Sequence, residues 1–309
     1  MMRFMKFSQL ILGFVSVFLL NSLISTSIQS QTLYESVRSA ESQIQNPSQI
    51  LGVTDYKNPS VSNKTKKEIL RQIPFKTLSP EAQERVRQVV STTTMYRRLP
   101  VEVVPCEKEM YDFMTRHPET MVNIWELMGV SKMKLVELKP GTFYLEDGAG
   151  TRGKAEYLYK SPDMLILYVF GTYEGIPFPK KVRGSGLIIL QNQQLKDANG
   201  KNFLAVRLDA FMQIENEGVE ALAKTFQPLV GKVADHNLNQ IVGFLGELSE
   251  TTLKNGIGVA NMARRLNHLS PEVQEEFAEV ALLTSTRSSQ PTTMPLQYQP
   301  YPAVGSQVE

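Results

Sequence analysis

One cysteine, three histidines and one tryptophan in 309 residues leave little material for several kinds of chemistry. Cys106 alone cannot build an intramolecular disulfide, a cysteine-based zinc site or a protein-bound iron–sulfur cluster. His117, His236 and His268 are too scattered to suggest another metal centre, so no metal is expected. Charge of one sign is lacking too: 33 Lys and Arg stand against 31 Asp and Glu, a net of +2. No whole-chain field would then draw in nucleic acid or an anionic membrane. What is present is apolar, at 42% of the chain, enough for one sizeable core or two modest ones.

The longest hydrophobic run lies at the start. Arg3 and Lys6 precede an unbroken apolar stretch from Leu10 to Leu20, and small polar residues follow from Asn21 to Ser30. This is the three-part pattern of a secretory signal peptide, and the run is short of the ~20 residues a spanning helix needs. The expectation is a secreted or periplasmic protein cleaved within residues 25 to 32, where Ser27 and Ser30 offer small side chains. Arg3 and Lys6 fall in the part removed, leaving 31 basic against 31 acidic residues.

Composition divides the remainder. Residues 31–75 form a polar lead-in with room for one helix at about 65 to 72. A helix is expected over 76–92, opened by Ser79 as N-cap, Pro80 at the first helical position and Glu81 at the positive end of the dipole. The same opening recurs at Ser270-Pro271-Glu272, within a helical C-terminal extension over 254–284. From 285 to 309 the chain turns to Ser, Thr, Gln, Pro and Tyr, the composition of a disordered tail.

Residues 93–253 read as one module. A strand from Thr94 to Val104 is followed by helical stretches Glu107 to Arg116 and Pro118 to Met128. Six alternating segments between Met133 and Glu215, joined by short turn signals, can only form an antiparallel meander. A long helical pattern then runs from Glu217 to about Leu253, with Pro228 expected to kink or divide it. This order resembles the helix-grip fold of the START-like superfamily of polyketide cyclases and lipid-transfer domains. The resemblance implies an α+β fold with an antiparallel sheet of about six or seven strands wrapped on a long C-terminal helix, and extra helices at both ends. Runs such as Arg116-His117-Pro118-Glu119 and Asn123-Ile124-Trp125-Glu126 also resemble a family of uncharacterised secreted bacterial proteins, from which no activity carries over.

Motifs suggestive of enzymes lack their structural context. Gly148 to Gly153 matches G-x-G-x-x-G, but an alternating strand follows where a phosphate-binding helix is required, so the glycines read as a hairpin turn. Gly184-Ser185-Gly186 lacks the glycine two positions before the serine of a nucleophile elbow. Cys106 reads as a structural thiol. Asp235 and His236 are adjacent on a helix, with side chains about 100° apart. No cofactor is expected.

The strand from Phe203 to Ile214 places Leu204, Val206, Leu208, Ala210, Met212 and Ile214 on one face and Arg207 and Asp209 on the other. The first set should line a cavity under the long helix, with Arg207 and Asp209 outside and paired. The opposite register would make Arg207 a ligand anchor. Candidate ligand-binding residues are Trp125, Tyr157, Tyr159, Tyr168, Arg207 and Phe226, with Phe170 and Tyr173 as further aromatic walls. Three functions follow in order of preference. The first is a non-enzymatic binder of a small apolar or amphipathic molecule or lipid. The second is a cell-envelope interaction protein with a solid core, contacting partners through its tails. The third is a cyclase-like enzyme.

Overall fold

The structure, a computed structural model, describes residue 51 and residues 57–175, 181–215 and 219–288, with only the backbone described at 219–230, 233 and 287–288. The segments expected to be signal peptide and C-terminal tail lie outside these residues, apart from 285–288.

Helix α1 (Asn63–Gln72) starts where the Ser62 hydroxyl accepts the Thr65 amide, and α2 (Pro80–Ser91) where the Ser79 hydroxyl accepts the Ala82 amide. Ile69 and Ile73 at the end of the lead-in join Leu78, Ala82, Val86 and Val89 of the following helix in one apolar cluster. Strands β1 (Met95–Arg98) and β2 (Glu102–Pro105) follow in place of one expected strand, interrupted at Leu99-Pro100-Val101. Pro100 has no amide to give a ladder, which is why the pairing breaks there.

Two short helices, α3 (Lys108–Arg116) and α4 (Pro118–Leu127), lead into the meander of β3 (Lys134–Lys139), β4 (Thr142–Glu146), β5 (Thr151–Lys160), β6 (Met164–Tyr173), β7 (Val182–Lys196) and β8 (Asn202–Ile214). All pairings are antiparallel, in the order β1-β8-β7-β6-β5-β4-β3 with β2 also on β8, giving eight strands. Gly148 and Gly150, at φ 69° and 114°, make the turn between β4 and β5. A Cβ at Gly150 would press on the Glu174 carbonyl, so the glycine-rich run serves a hairpin and not a phosphate loop.

Helix α5 (Val219–Ala263) lies across the inner face of the sheet, and α6 (Pro271–Ser288) packs against it. Pro228 does not divide α5. Proline's fixed φ is compatible with a helix, at the cost of one amide bond and a ring–carbonyl clash four residues back. The break comes at Asn255 (φ −148°, ψ 61°), where its side-chain oxygen accepts the Gly258 amide at 2.9 Å and restarts the helix. Gly256 admits α6, since a Cβ there would stand 2.6 Å from the Ala281 carbonyl. Phe277 stacks on Phe113 at 5.0 Å and ties α6 to α3.

An antiparallel sheet wrapped on a long closing helix is a helix grip, and the chain is α+β, as its element order predicts. The sheet is covered on both faces. Inside stand α3, α4, α5 and α6; outside, α1 and α2 seal Tyr96, Ile166, Leu187, Ile189 and Phe211. Among the described residues no helix is long and apolar enough to cross a membrane.

Candidate functional site

Strand alternation sends Leu165 and Leu167 of β6, Ile188 and Leu190 of β7, and Val206 and Leu208 of β8 to the inner face. Opposite them, Leu238, Ile241, Val242 and Leu245 recur at helical spacing along α5. The two sets do not meet fully. Between them lies a cavity of about 170 Å³, closed at one end by Tyr111, Met114, Met121, Val122 and Trp125 from α3 and α4, with Met133 and Leu135 beside them. The edge of Trp125 rests on Phe244 of α5, with ring centroids 5.6 Å apart, which holds the indole in place as wall.

Polar atoms are sparse. Tyr157 of β5 donates its hydroxyl to the Thr115 carbonyl at 3.0 Å, and burial pushes that phenol's pKa well up. Tyr111 is buried with no partner for its hydroxyl among the described residues, and burial raises its pKa too. Thr115, Pro118, Tyr157, Leu190 and Ile241 are half-buried, marking where the lining reaches the surface. Beside Thr115 and Tyr157 stands Lys160, whose Nζ donates to the same Thr115 carbonyl at 2.9 Å.

Of the aromatic residues expected to line the cavity, Trp125 and Tyr157 do so, while Tyr159 and Tyr168 lie on the outer face. The cause in β5 is a bulge: Tyr157 pairs with Leu167 and Tyr159 with Ile166, so Leu158 is the extra residue and parity inverts after it. Without it, Tyr157 and Tyr159 would share a face. Tyr168 alternates with Leu167 and Val169 and stacks on Phe170 at 5.6 Å outside, under the guanidinium of Arg85. Tyr173 joins Val182 and Ile214 in a separate small cluster. Phe226 is on α5, among the residues of which only the backbone is described.

Arg207 is not a cavity anchor. It lies with Asp209 on the outer face, as the apolar-lining register predicts, but both are fully buried beneath α1. There Asp209 accepts Tyr96 Oη at 2.6 Å and Arg98 Nε at 2.9 Å, while Arg98 reaches Glu68 of α1 at 3.1 Å. Arg207 Nε is 3.7 Å from Asp209 Oδ2, and Nη2 bonds Gln191. Burial pulls the Arg207 pKa down, with Arg98 adding repulsion, and pushes the Asp209 carboxyl up. This network was legible as an Arg–Asp pair, but not as the seam between sheet and lead-in helix.

The other candidates lie outside the cavity lining. Asp235 pairs with Arg97 of β1, which passes α5 over Gly231, and His236 is exposed. Cys106 is buried, which pushes its thiol up to about 12. No group of three or more histidine, cysteine or acidic side chains positioned to hold a metal occurs among the described residues.

His117, at the junction of α3 and α4, ties the cavity wall to α6. Its Nδ1 is 3.3 Å from Glu119 and its Nε2 3.2 Å from Glu276, which also accepts Arg116, and its ring lies against Phe113. The Glu119 hydrogen bond leads in raising the His117 pKa, and partial burial opposes it. A raised folded pKa means the imidazolium's contribution is complete below about pH 6.5 and disappears as pH climbs through the raised value. His117→Asn should therefore lose about 0.5–1 kcal/mol of stability at pH 6 and nearly none at pH 9. Urea denaturation at both values checks this, and an equal loss at both would contradict it.

No protein-family model matches the chain, and no curated protein matches it. Solved structures do. A putative uncharacterized protein from Rhizobium leguminosarum is 13% identical, with 47% of this chain covering 95% of that one at a TM-score of 0.28. The Mll3558 protein from Rhizobium loti is 12% identical over 46% of this chain and 97% of its own, with a TM-score of 0.26. Ara h 8.0201 is 9% identical over 46% and 98%, with a TM-score of 0.24. Each aligns along nearly its full length with about half of this chain. The helix-grip assignment itself rests on this chain's own strand order and closing helix.

Proposed function

We propose that this is an exported, non-enzymatic binding protein that holds a small apolar or amphipathic molecule between the sheet and α5. The observation that carries the reading is the cavity of about 170 Å³ whose walls are almost wholly aliphatic, methionine and aromatic side chains. A cavity of similar size, about 150 Å³ and lined by Leu, Ile and Phe, stays dry and takes benzene in another protein. The volume therefore selects a ligand of one ring or a short chain, and a whole phospholipid would require the grip to open.

Burying roughly 200 Å² of apolar ligand surface at ~25 cal/mol per Å² supplies about 5 kcal/mol. Toluene or indole should bind with a Kd of about 0.1 to 1 mM by isothermal titration calorimetry. Tyr168→Ala, on the outer face, should leave this binding unchanged. No saturable binding to folded protein would favour the solid-core envelope protein instead. Export is supported by the run from Leu10 to Leu20, and N-terminal sequencing of protein from the native host tests it. A cyclase-like activity draws no support from the lining, which includes no histidine or acidic residue among the described residues.

A further inference from the structure

Lys160 occupies a particular position relative to the cavity. It ends β5, three residues after Tyr157, and its ammonium stands over the Tyr157 ring at 5.2 Å while donating to the Thr115 carbonyl at 2.9 Å. Thr115 and Tyr157 are both cavity wall and both half-buried, so the ammonium sits at the lip. Among the described residues it has no ion pair. The charged groups around it are engaged elsewhere: Asp112 with Lys108, Arg116 with Glu276, and Glu137 with the Gly141 amide. A cation at the mouth of an apolar cavity, held by a neutral carbonyl and a tyrosine ring with no ion pair of its own among the described residues, is complementary to a single negative charge.

We propose that the ligand is a small amphipathic carboxylic acid, its hydrocarbon part within the cavity and its carboxylate paired with Lys160 at the rim. This rests on the binding reading above and adds the ligand's chemical class. A single ammonium suits a carboxylate better than a phosphate dianion, which needs several donors, and the neighbouring Arg116 is held by Glu276. The cavity volume limits the hydrocarbon to about six carbons, the content of a benzene ring. Loss of water around the amine, with Arg116 nearby, lowers the Lys160 pKa against the opposing pull of Asp112 and Glu137.

Hexanoate and hexan-1-ol, compared by calorimetry, separate this proposal from the reading beneath it. In the unmodified protein both should bind. Lys160→Gln should weaken hexanoate about fivefold, the effect of a ~1 kcal/mol exposed ion pair, and leave hexan-1-ol within about twofold. Lys160→Arg should restore hexanoate binding, and added salt should weaken hexanoate alone. Hexanol binding with hexanoate indifferent to Lys160→Gln would overturn the carboxylate proposal and leave the apolar site standing. Binding of neither compound would overturn both. Unchanged urea midpoints in the two variants would show that the fold is not the cause.

Discussion

Asp209→Ala should cost about 3–5 kcal/mol of stability, the largest loss expected from any single truncation of a polar side chain in this chain. Asp209 is 0% exposed and stands between the guanidiniums of Arg98 and Arg207, residues that are themselves 3% and 1% exposed. Its carboxylate accepts Tyr96 and Arg98 directly, and Arg207 Nε faces it at 3.7 Å. Removing it leaves two buried cations facing each other and a tyrosine hydroxyl without an acceptor. The damage should spread to α1, because Arg98 is also the residue that holds Glu68 and the Thr65 carbonyl.

Arg207 contrasts with Asp209. Its Nε and Nη1 have no hydrogen-bond partner among the described residues, so its charge is poorly compensated even in the intact protein. Arg207→Met should thus be nearly neutral, and the Asp209→Ala, Arg207→Met pair should lose less than Asp209→Ala alone. Urea denaturation of the four proteins decides it. A loss below about 1 kcal/mol for Asp209→Ala would show that the network contributes little.

Val242→Trp should abolish binding of toluene or indole, raising the Kd at least tenfold. Val242 is 3% exposed and faces the cavity from the middle of the α5 stripe, between Leu238 and Leu245. An indole there occupies the space a ligand needs. Added bulk in a close-packed core costs about 1–3 kcal/mol, but here part of the ring enters existing empty volume, so the cost should fall at the lower end. Loss of binding in a protein that still unfolds cooperatively would be the expected result, read by calorimetry and urea denaturation together. Unchanged affinity would place the ligand elsewhere.

The sequence carried the meander, the grip and the apolar face of β8 plainly, because period-two alternation and short turns act over a few residues and need no tertiary context. Trp125 was legible as wall from the apolar face of its helix, and Tyr157 from its place in an alternating strand. Tyr159 was not, since a bulge at Leu158 follows from sheet curvature, which no local pattern encodes. Tyr168 was misplaced because a sheet covered on both faces buries aromatics on both, and nothing local in α1 and α2 says that they pack on the outer face. The same helices turn Arg207 and Asp209 from a surface pair into a buried one. Lys160 drew no attention because its importance lies in its distance to Thr115, 45 residues earlier in the chain.

The most direct test of the central claim is a crystal structure of the protein soaked with bromobenzene, read by the bromine's anomalous scattering. The account predicts one strong peak inside the grip, among Leu167, Leu208 and Val242, and its loss in Val242→Trp crystals. A peak only on the outer face of the sheet, or an empty grip at saturating ligand, would contradict it.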